Sequence, residues 1–121
     1  MLELESKDLA MKIAKILYDR KAEEIRVLEI GDLTILADYF VIATGMSSTQ
    51  VKSLAEEVEY KLGLEDIEPH HAEGRRTDQW ILIDYSSVVL HVFYKESREF
   101  YNLERLWTDA KEVDRKEWEA K

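Results

Sequence analysis

Ala37-Asp38-Tyr39-Phe40-Val41-Ile42-Ala43-Thr44-Gly45 runs without a break into Met46-Ser47-Ser48-Thr49-Gln50-Val51. The first part is a continuous apolar run led by β-branched and aromatic residues, and it reads as a central strand covered on both faces. Gly45 ends it and a helix follows at once. Ser47 and Gln50 stand three apart as a capping-box pair, hydroxyl to backbone amide and side-chain amide back. Val51, Leu54, Ala55, Val58 and Leu62 then share one helical stripe. Gly63 stands where a left-handed residue past a helix end is favoured.

Upstream, Leu9, Ile13, Ile16 and Leu17 recur at helical spacing, predicting an amphipathic helix over about 6–21 with Ser6 as its N-cap. Glu24 to Ile30 reads as a strand. Downstream, Pro69 lies within a short strand expected over about 67–73, and 74–78 is a polar turn. Trp80–Asp84 and Val88–Tyr94 are strands joined by only Tyr85-Ser86-Ser87, which forces an antiparallel hairpin. Ser97 is placed to cap a last helix with Phe100, Leu103, Trp107 and Ala110 on one face. Strand–helix–strand followed by a hairpin predicts a single α/β domain with a mixed, about five-stranded sheet and three helices. The domain is expected over residues 1–110. Residues 111–121 are highly charged and read as a tail that only Val113 and Trp118 could anchor.

The chain has 121 residues, 45% of them apolar, enough for one domain with a core of its own. It has no cysteine, which excludes disulfides, thiolate metal sites and cysteine nucleophiles. Lys and Arg number 17 against 26 Asp and Glu, a net charge of −9. A protein that tracks phosphates needs clustered positive charge, so the balance points away from naked nucleic acid and toward a basic partner. Met1-Leu2-Glu3-Leu4-Glu5-Ser6 has neither a basic, apolar leader nor an Arg-rich one, so a cytoplasmic location is expected.

Several residues invite a chemical reading. A strand entering a helix through Gly45 is where phosphate often binds, but the turn carries one glycine and no P-loop lysine follows, which favours an ordinary capped helix. Gly45 with Ser47 and Ser48 faintly suggests a nucleotidyltransferase, whose chemistry needs paired carboxylates holding two metals. No D-x-D follows the helix, and Asp78 and Asp84 stand six apart. His70, His71 and Glu73 could ligate a metal, yet adjacent histidines on a strand point to opposite faces. His91 aligns with Val89 and Phe93 and reads as a hydrogen-bonded sheet histidine. No serine has a triad context. Neither catalytic residues nor a cofactor or metal are expected.

Aromatic residues gather near strand and helix ends: Trp80, Tyr85, Tyr94, Tyr101 and Trp107. Interfaces enrich Trp, Tyr and Arg. Phe100, Leu103 and Trp107 form one apolar row, with Tyr101 and Leu106 off that line and free for a partner. The candidate contact surface is therefore Trp80, Tyr101, Leu106 and Trp107.

Four stretches taken together carry a resemblance. They are Asp38 through Gly45 with Ser47, Ser48, Gln50 and Val51; Trp80 through Asp84; His91-Val92-Phe93; and Arg98-Glu99-Phe100-Tyr101-Asn102-Leu103-Glu104-Arg105-Leu106-Trp107. The combination, over about residues 7–110, resembles the Iojap family of ribosomal silencing factors (RsfS). Met46 and the Ser86-Ser87 hairpin depart from its usual G-T-S-S and D-Y-G-D. The resemblance implies a mixed five-stranded sheet of nucleotidyltransferase-like topology without catalytic residues. It implies binding to the large ribosomal subunit through its protein L-fourteen, steric block of subunit joining, and lowered translation when nutrients are scarce. It further implies a homodimer when free, and it adds Asp38 of the central strand to the candidate contacts. The rival readings are a degenerate nucleotidyltransferase that binds a nucleotide, and a dimeric adaptor with no ribosomal role.

Overall fold

A computed structural model describes residues 5–77 and 79–119. Met1–Leu4, Asp78 of the expected polar turn, and the last two residues of the expected tail lie outside the described residues. The elements run α1 (Ser6–Asp19), β1 (Glu23–Glu29), β2 (Tyr39–Gly45), α2 (Ser48–Gly63), β3 (His71–Glu73), β4 (Trp80–Asp84), β5 (Val88–Tyr94), α3 (Lys95–Tyr101), a 3₁₀ turn (Leu103–Trp107), β6 (Lys111–Glu112) and a second 3₁₀ turn (Arg115–Glu117).

The sheet order is β3-β4-β5-β2-β1-β6. β2 and β5 are parallel neighbours at its centre, and the other pairs are antiparallel. The apolar run that reads as a central strand is one: every residue of β2 is buried. Its alternating side chains feed two cores. Tyr39, Val41 and Ala43 face α1 and α2, whose stripes Leu9, Ile13, Leu17 and Val51, Leu54, Val58 cover that side. Phe40 and Ile42 face the other side, where Leu103, Trp107 and Ala110 pack against them.

Gly45 lets this layer close. A Cβ there would lie 2.7 Å from Val51 Cγ2 and 2.9 Å from the Val51 amide nitrogen, so no side chain fits between strand end and helix start. The capping pair forms with one change of partner. Ser47 Oγ accepts from the Gln50 amide at 3.0 Å, while Gln50 Oε1 accepts from the Met46 amide at 2.7 Å instead of from that of Ser47.

Some expectations are corrected. The sheet has six strands, because Lys111 and Glu112 pair with Glu29 and Leu28 at its edge. Val113 and Trp118, the two residues expected to anchor the stretch after Lys111, are buried in the helix-side core. Glu5, not Ser6, is the N-cap of α1, and Ser6 Oγ instead donates to Asp38 Oδ2 at 2.7 Å. Gly63 is the last helical residue and has no positive φ. The last helix breaks in two. Asn102, at φ 44°, ψ 53°, takes the left-handed conformation that Asn tolerates, and the chain continues as a tighter 3₁₀ turn. The break rotates Phe100 off the row of Leu103 and Trp107, so Phe100 is 81% exposed and not in the core. Ser97 lies inside α3 and donates to Gln79 Oε1 at 2.7 Å, so it is not a cap.

Candidate partner-binding surface

Register places the site. β4 runs antiparallel to β5 with Trp80 opposite Phe93, Leu82 opposite His91 and Asp84 opposite Val89, so these side chains share the thinly covered face. The Trp80 ring stacks on Phe93 with centroids 4.8 Å apart and leans on Tyr101 at 5.0 Å. Phe100 meets Tyr101 edge-on at 5.1 Å. At the other side of His91, Phe40 meets the imidazole edge-on at 4.6 Å and Trp107 meets Phe40 at 5.3 Å. Trp80, Tyr101 and Trp107 therefore belong to one aromatic band, joined through Phe93, His91 and Phe40. Leu106, beside Trp107, is 76% exposed.

Asp38 does not join them. It precedes β2 at the opposite end of the sheet, where Tyr39 is level with Val88, whereas Trp80 is level with Phe93. Five residues of strand separate those levels, about 17 Å.

The band has a polar pin. Trp80 Nε1–H donates to His91 Nδ1 at 3.1 Å, and His91 is only 3% exposed. An accepting Nδ1 puts the ring proton on Nε2, which has no hydrogen-bond partner among the described residues. Burial lowers the imidazole from its ordinary 6.5 to about 3. Between those values the unfolded chain takes up a proton that the folded one refuses, so stability falls as pH drops below 6.5. From pH 7 to pH 5 the expected loss is about 2 kcal/mol. His91→Gln removes the ionisation and keeps an acceptor for Trp80, so its urea midpoint should vary less over that range. Equal pH slopes in the two proteins would remove this assignment.

Sequence reasoning missed Arg98, which fastens the segment carrying this surface. It is 5% exposed. Its guanidinium donates to the Glu24 carbonyl at 2.5 Å, to Thr44 Oγ1 at 2.8 Å and to both oxygens of Glu104 at 3.0 and 3.3 Å. Glu104 also accepts from Arg26 at 3.2 Å, and Arg26 reaches Glu112 of β6. Burial pushes the Glu104 carboxyl up, but its bonds to Arg98 and Arg26 outweigh this and hold it below the usual carboxylate range. No periodicity marks a buried arginine; its four accepting oxygens come from three separate stretches of chain.

The residues with a chemical reading are occupied otherwise. Ser47 serves the helix cap, and Asp84 Oδ1 accepts from the Ser86 amide at 2.7 Å to close the hairpin turn. His71 pairs with Glu73 at 2.9 Å on an exposed strand. Among the described residues no group of three or more His, Cys, Asp or Glu could hold a metal ion, and no helix is long and apolar enough to cross a membrane.

Comparison with known proteins gives the family and the fold. A family model described as "Ribosomal silencing factor during starvation" matches residues 3–121. A ribosomal silencing factor of Halalkalibacterium halodurans is 36% identical over 111 residues, covering 92% of this chain and 95% of its own. One of Bacillus subtilis is 40% identical over 96 residues, covering 79% and 81%. A crystal structure of a Chromobacterium violaceum protein superposes with a TM-score of 0.84 at 33% identity, over 87% of this chain and 88% of that one.

Proposed function

The chain belongs to the ribosomal silencing factor family, and from that premise we propose that it binds the large ribosomal subunit through a basic subunit protein, L-fourteen, and bars the small subunit from joining. Translation then falls when nutrients are scarce. The protein acts in the cytoplasm and pairs with a second copy when free. The observation that carries this reading is the aromatic band, thinly roofed on one sheet face and ending in exposed Tyr101, Phe100 and Leu106. Large rigid side chains of this kind anchor interfaces, and the net charge of −9 suits a basic partner, speeding encounter and setting register. Blocking needs bulk and no chemistry. A domain of 121 residues is about 35 Å across, enough to prop open a face that must close against another particle.

The test is sedimentation of purified bacterial subunits, at a magnesium concentration that joins them, with and without the protein. It should travel with the large subunit and deplete the joined peak. Trp80→Ala should weaken large-subunit binding about 30-fold, the effect of losing an interface anchor. Leu106→Ser touches no core and serves as the control for folding; it should weaken binding while leaving the denaturation midpoint unchanged. A protein that stays at the top of the gradient, with an undiminished joined peak, would overturn the reading.

A further inference from the structure

A second apolar patch stands at the opposite end of the sheet. Leu33, Ile35 and Leu36, in the loop between β1 and β2, are all exposed, and Ile35 is fully so. Single exposed apolar side chains are ordinary; three within four residues of one loop are a patch. The loop is not slack. The amides of Ile30 and Gly31 both donate to the Asp38 carbonyl at 2.8 and 3.1 Å, closing its base. Those of Leu33 and Thr34 donate to the Ile30 carbonyl at 2.8 and 3.1 Å, and that of Leu36 to Thr34 Oγ1. Ile30 and Ala37 are buried in the same core that holds Phe40 and Trp107. The base is anchored while the tips face water, so much of the ordering cost of a contact is already met by the fold.

Charge selects the occupant. No Lys or Arg occurs between Arg26 and Lys52. Asp32 and Asp38 flank the tips and are exposed, and Glu29 lies at the base. Lys7, which acts on Glu29 and Tyr39, is itself paired with Glu117 at 3.0 Å. Such a surface repels phosphate, whether of RNA or of a lipid headgroup. A second copy, also at −9, would bring acid against acid. Resting on the ribosomal reading above, we propose that the 31–38 loop is a second docking surface, taking an apolar, Lys- and Arg-rimmed protein segment of the large subunit. Asp38, one residue beyond the Tyr39 level and so about 20 Å from that of Trp80, serves this contact as part of its acidic rim.

The test uses the full chain and purified large subunits. The double variant Ile35→Ser, Leu36→Ser should bind at least ten-fold more weakly with an unchanged denaturation midpoint, since neither side chain is in the core. A photocrosslinking amino acid at position 35 should capture a basic subunit protein. Unchanged affinity, or capture only of ribosomal RNA or of a second copy, would overturn this surface and leave the ribosomal reading standing. Failure of the unaltered chain to bind large subunits at all would overturn both.

Discussion

Trp118→Ala is expected to lower the stability of the fold by about 3–5 kcal/mol, the cost of emptying a large aromatic site in a core. In thermal unfolding this is a drop of about 10–20 °C. Trp118 is 2% exposed and the largest of the fully buried side chains. Its ring meets Tyr18 of α1 edge-on at 6.0 Å. Around it the strap is tied on both sides: the Val113 amide donates to the Val27 carbonyl at 2.8 Å, and Lys15 Nζ donates to the Glu119 carbonyl at 2.9 Å. Trp118→Phe keeps much of the packing and discards an indole N–H that has no partner among the described residues, so it should retain at least half of the lost stability. A loss below 1 kcal/mol for the alanine variant would mean that residues 111–119 hang on the domain without belonging to it.

The second large effect belongs to Arg98. Arg98→Ala should also cost about 3–5 kcal/mol, because breaking a buried ion pair leaves the other charge without its main partner. Glu104 would retain Arg26 alone, and the Thr44 hydroxyl and Glu24 carbonyl would lose their donor. Arg98→Lys should recover only part of this, since an ammonium cannot reproduce the two parallel bonds to one carboxylate. The diagnostic variant is the double change Arg98→Met, Glu104→Leu. Removing both charges should restore most of the stability lost in Arg98→Ala. If the double variant is no more stable than the single one, the packing of the arginine stem holds α3 down and the charge argument fails. Large-subunit binding should track the single variant's loss, because Glu104 sits in the same 3₁₀ turn as Leu106 and Trp107.

How much of this was legible beforehand depended on whether a residue's environment was local. The unbroken apolar run from Tyr39 to Gly45 and the periodic stripe from Val51 to Leu62 encode their burial locally, and both stand as read. The three-residue connection at Tyr85–Ser87 admitted only a hairpin. Membership of Trp80, Tyr101 and Trp107 in one band was foreseeable as a cluster of aromatics near element ends, though not the pin from Trp80 to His91, which needs the register of β4 on β5. What escaped was non-local or conformational. The break at Asn102 hangs on one left-handed residue inside an unbroken helical pattern, and it exposed Phe100. Val113 and Trp118 were legible as the anchors of the charged run after Lys111, but not where they dock, because their sites are built by α1 and β1, about a hundred positions earlier. Asp38 joined the candidate contacts through the resemblance alone, which carries no information on which end of the sheet a residue occupies.

The clasp between the first helix and the last segment also bears on how the chain is made. The bond from Lys15 to Glu119 closes a separation of 104 residues. At about 5–20 residues per second, synthesis of that stretch takes about 5–20 s. Throughout that time α1 can form, yet the surface that receives Trp118 stays open to water and to whatever else binds apolar helices. A nascent chain would thus complete its sheet centre first and seal its oldest helix last, with the longest loop of the fold still to close.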